Sequence, residues 1–350
     1  MDRTKTRRLR VGSVPLGGGA PVTVQSMCSA DTRDPAATLS QIERLHAAGC
    51  DIVRVAVPDA AAAEALRDIC RDSPLPVVAD IHFDYTLALA AVRAGAAKIR
   101  INPGNIGGAE RVRAVAEACG ERGVPIRIGV NSGSIEKHLL QAYGKPTAEA
   151  MVESAAGHIA LLEDCGFYDI CLSLKASNVP LTVEACRRAA ERFPYPLHLG
   201  VTEAGTSWAG TVSSAVGIGA LLMEGIGDTI RVSLTADPVE EVQAGIAILK
   251  AAGLRAGGVR VISCPTCART QIDLIAAAKE VEAYLAGCER DITVAVMGCP
   301  VNGPGEAREA DYGLAGGKGE ALLFRKGEIV GKAPEAEMAA ALMKLIDEDT

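Results

Sequence analysis

The chain has 350 residues, enough for one large domain or two ordinary ones with a sizeable core. Hydrophobic residues make up 49% and aromatics only 3%, which favours a packed globular protein and argues against a base-stacking surface. The formal net charge of −7 argues against a broad nucleic-acid-binding face, while leaving room for a local basic pocket.

The opening segment, "MDRTKTRRLRVGSVPLGGGA", carries charge with no apolar stretch behind it, so a secretory signal is not expected. The sequence has no apolar run of the roughly eighteen residues that a membrane span needs. Eleven cysteines, an odd and scattered set, argue against a disulfide framework and fit a reducing cytoplasm. Cys50, Cys70, Cys119, Cys165, Cys171 and Cys186 lie in apolar patterns and read as small buried hydrophobes.

From residue 22 onward, short β-branched runs alternate with Ala/Leu/Glu/Arg-rich stretches. The expected strands cover 22–27, 51–57, 76–82, 97–102, 125–131, 169–175, 196–202 and 229–234. Several intervening segments end in glycine, as helix C-termini prefer. Eight strand–helix repeats over 1–254 match an α/β fold of the (β/α)8 TIM-barrel type. A doubly wound open sheet is the alternative, but no G-x-G-x-x-G follows the first strand.

The strands carry charge where covered parallel strands should be apolar: Arg54, Asp80, His82, Arg100, Arg127, Lys175 and Arg231. Asn102, Asn131, Thr202, Glu203 and Ser233 stand at or just past strand ends. In a barrel these positions converge on the mouth at the C-terminal ends of the strands. Five cations from five strands, gathered in a partly dry pocket, suit an anionic ligand such as phosphate or diphosphate. The competing reading is internal pairing with Asp80, Glu203 and other acids.

Beyond a Gly-bearing linker, "AGLRAGGVRV", residues 255–350 read as a small α+β domain. The expected order is a strand ending in "VISC", a helix, a strand "DITVAVMG", a Gly-Pro-Gly loop, a hairpin turning at "RKGE" and a final helix. Cys264 and Cys267 form C-P-T-C, while Cys299 and Glu306 sit on the Gly-Pro-Gly loop. Three readings fit this spacing: an iron–sulfur cluster on three thiolates and one oxygen, a structural zinc, or a redox-active C-x-x-C pair.

Taken together, "PVTVQSM", "AGCDIVRVAVP", "ADIHFD", "IRINPGN", "IRIGVNSGS", "LSLKAS", "LGVTEAG", "GIGDTIRVSLT", "SCPTCART" and "VMGCPVNGPGEA" resemble the 4-hydroxy-3-methylbut-2-enyl diphosphate synthase family in its bacterial two-domain form. The resemblance runs in order from about residue 8 to about residue 345. It implies an oxidoreductase of the non-mevalonate isoprenoid pathway. The reaction would be the two-electron reductive ring opening and dehydration of 2-C-methyl-D-erythritol 2,4-cyclodiphosphate.

It further implies a [4Fe–4S] cluster on Cys264, Cys267, Cys299 and Glu306 in 255–350, with the diphosphate in the barrel mouth. The family's substrate-binding residues fall on Arg54, Arg100, Arg127, Asn131, Lys175, Thr202, Arg231 and Ser233. Glu203 is the candidate proton donor, with Asp80 and His82 as alternatives. Electrons would come from an external carrier, flavodoxin or ferredoxin. A barrel synthase of the dihydropteroate type, built around Lys175, would leave the C-terminal cysteines without a role.

The last barrel helix should end at the N-terminal side of the strands, away from the mouth. A flexible linker of about ten residues spans at most about 35 Å when fully extended. A head-to-tail homodimer, each second domain capping the partner's barrel, is therefore expected.

Overall fold

A computed structural model describes every residue except 1, 287, 289, 301–304, 306 and 350. The chain divides into two compact units, Met1–Arg255 and Ala256–Thr350.

Eight parallel strands form the centre of the first unit. They are β3 (Thr23–Met27), β4 (Ile52–Ala56), β5 (Val77–Asp80), β6 (Lys98–Ile101), β7 (Ile126–Asn131), β8 (Ile170–Lys175), β9 (His198–Leu199) and β10 (Thr229–Ile230). Their order is β8-β7-β6-β5-β4-β3-β10-β9, and a parallel bridge between Leu172 and Leu197 brings the two ends together. The result is a nearly closed barrel of the TIM type.

Alternation along each strand resolves the oddity of charged parallel strands. Val53, Val55, Ile99, Ile101, Ile126, Ile128 and Leu172 are fully buried and belong to the core shared with the helices. The residues between them, Arg54, Arg100, Arg127 and their equivalents, face the barrel interior, as the period-two geometry of strands requires.

The surrounding helices are α1 (Pro35–Ala47), α2 (Ala60–Asp72), α3 (Tyr85–Ala94), α4 (Ala109–Arg122), α5 (Lys137–Tyr143), α6 (Ala148–Glu163), α7 (Val179–Arg192), α8 (Ser207–Met223) and α9 (Pro238–Ala251). Asp34, Asp59, Asp84, Thr147, Asn178 and Asp237 cap their helices through the side chain, satisfying N–H groups that the first turn leaves open. Gly95 and Gly123 end α3 and α4 in the left-handed conformation that glycine adopts without a steric penalty.

Two features of this unit depart from the sequence reading. A short antiparallel hairpin, β1 (Leu9–Val11) with β2 (Val14–Leu16), precedes the barrel. Its Leu9, Val11 and Leu16 pack on Ile52, Val78 and Cys171, flooring the barrel at the N-terminal ends of the strands. The last two barrel strands are also far shorter than 196–202 and 229–234. A Cβ on Gly200 would stand 2.6 Å from the Arg231 carbonyl oxygen, so the two backbones approach too closely there for a side chain. Past β10 the backbone turns elsewhere: Leu234 N–H donates to the Glu241 carboxylate and Thr235 N–H to the Gly205 carbonyl.

The second unit is a five-stranded sheet of β11 (Arg260–Ser263), β12 (Thr293–Met297), β13 (Tyr312–Gly316), β14 (Glu320–Arg325) and β15 (Glu328–Pro334). The first three are parallel and the rest antiparallel. Helices α10 (Leu274–Leu285) and α11 (Met338–Asp347) pack against it through Val281, Leu285, Leu342 and Ile346. The sequence reading omits β13, whose "YGLAG" has weak strand propensity. Its Gly316 is required because a Cβ there would lie 2.7 Å from Ile272. No helix among the described residues is long and apolar enough to cross a membrane.

Candidate active site

At the C-terminal ends of the barrel strands lies a cavity of about 140 Å³ lined by Arg54, Asp80, His82, Arg100, Arg127, Asn131, Ser173, Lys175, Thr202, Arg231 and Ser233. Strand register brings these side chains together. Asp80 is level with Arg100, Arg100 with Arg127, and Asn131 with Lys175 on neighbouring strands. Two glycines make room for the long cations. A Cβ on Gly129 would lie 2.9 Å from Arg100 Nε, and one on Gly200 would lie 2.6 Å from Lys175 Nζ.

Asp80 is the carboxylate on the cavity wall. Its oxygens lie 3.8 Å from Arg54, 3.3 Å from Arg100 and 3.6 Å from His82 Nε2. Burial pushes its carboxyl up, but the His82 hydrogen bond and the charges of Arg54, Arg100 and Arg127 outweigh burial and hold it well below the usual carboxylate range. Arg231 is paired outside the lining, at 3.3 Å from Glu241 on α9. Arg54 also donates to the Met27 thioether, at 2.8 Å from Nη2.

Among the described residues, the remaining cations lack acidic partners. Arg127 reaches Ser173 Oγ at 3.4 Å, and its buried Nε has no partner. Burial first, then repulsion from its neighbours, pushes Arg127 down to about 10. Burial and the charges of Arg127, Arg231 and Arg54 drive Lys175 well below its ordinary value. A pocket with unspent positive charge and few acids attracts an anion, and each cation gains back stability when the anion arrives.

Glu203, expected at the mouth, stays outside this lining. It is exposed and holds a left-handed φ of 53°, a strained conformation for a non-glycine residue in the loop after β9. Asn102 also stands apart: it is buried and accepts from the Gly129 N–H at 3.0 Å, fixing β6 to β7. Three neighbours escaped the sequence reading. Ser173 lies two residues before Lys175 and could have been found from the period of β8. Glu241 and Met27 carry no local signal of their role.

In the second unit, Cys264 follows β11 and Cys299 follows β12, two adjacent parallel strands with Ser263 opposite Val296. The Gly298 N–H donates to Cys264 Sγ at 3.2 Å, and the Gly298 carbonyl accepts from the Gln271 N–H at 2.8 Å. The Cys267 carbonyl accepts from the Thr270 N–H, so both cysteine loops are knitted into one region. Cys267 is exposed, and hydrogen bonds from the Arg269 backbone and side chain hold its thiol below its ordinary value. These features fit thiolate ligands of a cluster, whose sulfurs are tuned by N–H donors. Glu306 lies outside the described residues.

Comparison with known proteins agrees with this division. The model of the GcpE TIM-barrel domain matches residues 6–246, and that of the GcpE protein C-terminal domain matches 260–348. The chain is 63% identical over 345 residues to the 4-hydroxy-3-methylbut-2-en-1-yl diphosphate synthase (flavodoxin) of Geobacter sulfurreducens, covering 99% of this chain and 98% of that protein. It is 58% identical over 347 residues to the protein of the same name from Clostridium perfringens, covering 99% of both. Among solved structures, dihydropteroate synthase of Vibrio fischeri superposes with a TM-score of 0.51 at 15% identity, over 71% of this chain and 97% of that one. That likeness is one of fold alone. Matched along almost its whole length, the chain belongs to the GcpE family of 4-hydroxy-3-methylbut-2-en-1-yl diphosphate synthases.

Proposed function

We propose that the barrel mouth binds the diphosphate of 2-C-methyl-D-erythritol 2,4-cyclodiphosphate. The observation that carries this reading is the cavity where Arg54, Arg100, Arg127, Lys175 and Arg231 meet around Asp80. The chain is an oxidoreductase that converts this cyclodiphosphate to 4-hydroxy-3-methylbut-2-enyl diphosphate. Two electrons and a proton enter, a ring C–O bond to phosphate breaks, and the hydroxyl leaves as water. The diphosphate therefore gains one negative charge as the ring opens. Fixed cations in a dry pocket bind that developing charge more tightly than the ground state, which lowers the barrier.

Arg54, Arg100, Arg127, Lys175 and Arg231 hold the diphosphate in this reading, while Asn131, Thr202 and Ser233 supply uncharged hydrogen bonds. Asp80 orients Arg54 and Arg100 and shares His82 with Arg100. Its strongly favoured charge makes it a poor proton donor, which leaves the exposed His82 and Glu203 as the candidates. Cys264, Cys267 and Cys299, with Glu306, would hold a [4Fe–4S] cluster. When bound, that group would supply electrons one at a time.

The donor is proposed to be flavodoxin, the carrier that the names of the relatives specify. All eleven cysteines are free, which supports a reducing, cytoplasmic setting. The head-to-tail homodimer is retained as a proposal. Arg255, the last residue of the barrel unit, pairs with Asp51 at 2.9 Å, just before β4, so the chain leaves at the floor end of the strands.

The test is anaerobic turnover of the cyclodiphosphate with a one-electron reductant, comparing the wild type with Arg54→Ala and Arg127→Ala. Each variant should lose roughly 1.5–3 kcal/mol of substrate or transition-state binding, the worth of a charge-assisted hydrogen bond. Unchanged kinetics in both would overturn the assignment of the mouth.

A further inference from the structure

His158 stands on α6, 6% exposed, with both ring nitrogens engaged. The Gly104 N–H donates to Nδ1 at 3.1 Å, and Nε2 lies 3.0 Å from Glu136 Oε1. Gly104 belongs to the loop after β6, four residues beyond Arg100. Glu136 belongs to the loop after β7, five residues beyond Asn131. The ring rests on the glycine itself: a Cβ on Gly104 would lie 2.7 Å from His158 Cε1. Ile106 and Ile135, on the same two loops, are buried at 1% and 5% exposure.

We propose that His158 is a positioning residue that locks the loops after β6 and β7 together, and so sets the placement of Arg100 and Asn131 at the cavity. The inference rests on the reading of that cavity as the substrate site.

The hydrogen-bond pattern admits one form of the ring. Nδ1 accepts and is bare, so Nε2 carries the hydrogen and donates to Glu136. A proton on Nδ1 would set a donor against the Gly104 N–H and release the first loop. The Glu136 ion pair would meanwhile strengthen and keep the second. Burial pushes the ring below its ordinary value, and Glu136, the ionisable group whose charge bears on it, partly offsets this. At neutral pH the clamp is closed. On acidification the two loops are uncoupled at the β6 side.

The test uses the cluster-loaded, full-length protein and measures kcat and KM for the cyclodiphosphate as a function of pH. His158→Leu should raise KM about 10-fold with a smaller change in kcat, as expected of a displaced binding group. His158→Asn, which keeps an acceptor near Nδ1, should recover part of the loss. The rise of KM on acidification in the wild type should vanish in His158→Asn, which has no ring to titrate. Arg54→Ala is the control. If it raises KM while His158→Leu does not, the clamp is refuted and the cavity stands. If neither changes KM, the cavity reading falls and the clamp falls with it. Should the variants fold poorly, ring nitrogen NMR shifts of the wild type decide. Hydrogen on Nε2 and a bare Nδ1 at neutral pH support the clamp; the opposite tautomer or a charged ring overturns it.

Discussion

Lys98 lies on β6, fully buried, two residues before Arg100 on the same inward face, and among the described residues its Nζ has no hydrogen-bond partner. Burial first, with smaller contributions from the charges of Arg127 and Arg54, drives its amine down to about 8. The folded state therefore holds fewer protons than the unfolded chain between about pH 8 and the ordinary lysine value, so stability should rise with pH across that window. Below it, the buried charge costs on the order of 3 kcal/mol, at about 1.4 kcal/mol for each pH unit of that window. Lys98→Met should raise Tm at neutral pH, with the gain shrinking from about pH 8 up to the ordinary lysine value; a gain independent of pH would refute burial of the charge as its cause. Lys175 behaves differently because an anion can reach it. A bound inorganic diphosphate should offset the burial and cation repulsion that lower Lys175 and shift its titration upward; a side-chain nitrogen NMR titration with no upward shift on binding would mean that Lys175 does not meet the anion.

Two glycines show how whole elements hold the sites. Gly200, where β9 ends, gives Lys175 and the Arg231 carbonyl their space. Gly200→Ala puts a methyl against a backbone atom that cannot yield, so it should lower Tm and weaken substrate binding together. Gly298 joins the two cysteine loops, and a Cβ there would lie 2.9 Å from Thr270 Cγ2 and 3.1 Å from Leu274 Cδ2. Gly298→Ala should cut iron content per chain, read by metal analysis, while leaving diphosphate binding by the barrel intact. Full iron content in that variant would show that the loop tolerates the shift. The short strands β9 and β10 belong to the same scale. Sequence alone extends them because valine, leucine and threonine favour strands. In the fold, the Glu241 carboxylate and the Gly205 carbonyl take the Leu234 and Thr235 N–H groups that a longer ladder would have used.

At the scale of the whole molecule, the proposed head-to-tail dimer makes a sharp expectation. A Cys299→Ser chain and an Arg231→Ala chain are each expected to be inactive. Mixed and allowed to exchange subunits, they should regain activity, because both lesions can fall in one shared site and leave the other whole. Confirmed heterodimer without recovered activity would place each site within one chain.

Much of the barrel was legible in the sequence because strand alternation is local: apolar residues at one parity and Arg54, Arg100, Arg127 and Lys175 at the other imply a covered outside and a charged inside. The C-P-T-C spacing and the Gly-Pro-Gly loop were legible for the same reason. Depth along the barrel axis was not. Lys98 and Arg100 share a strand, a face and a charge, yet one is sealed beneath the cavity and the other lines it. Partners from distant elements were equally hidden. Glu241 from α9 meets Arg231, and His158 from α6 joins Gly104 to Glu136 across two loops. No periodicity encodes such meetings, because they are created when the helices close around the sheet. The sequence thus determined which residue types face inward; tertiary packing decided which of them reach solvent, which are paired and which are held in place by others.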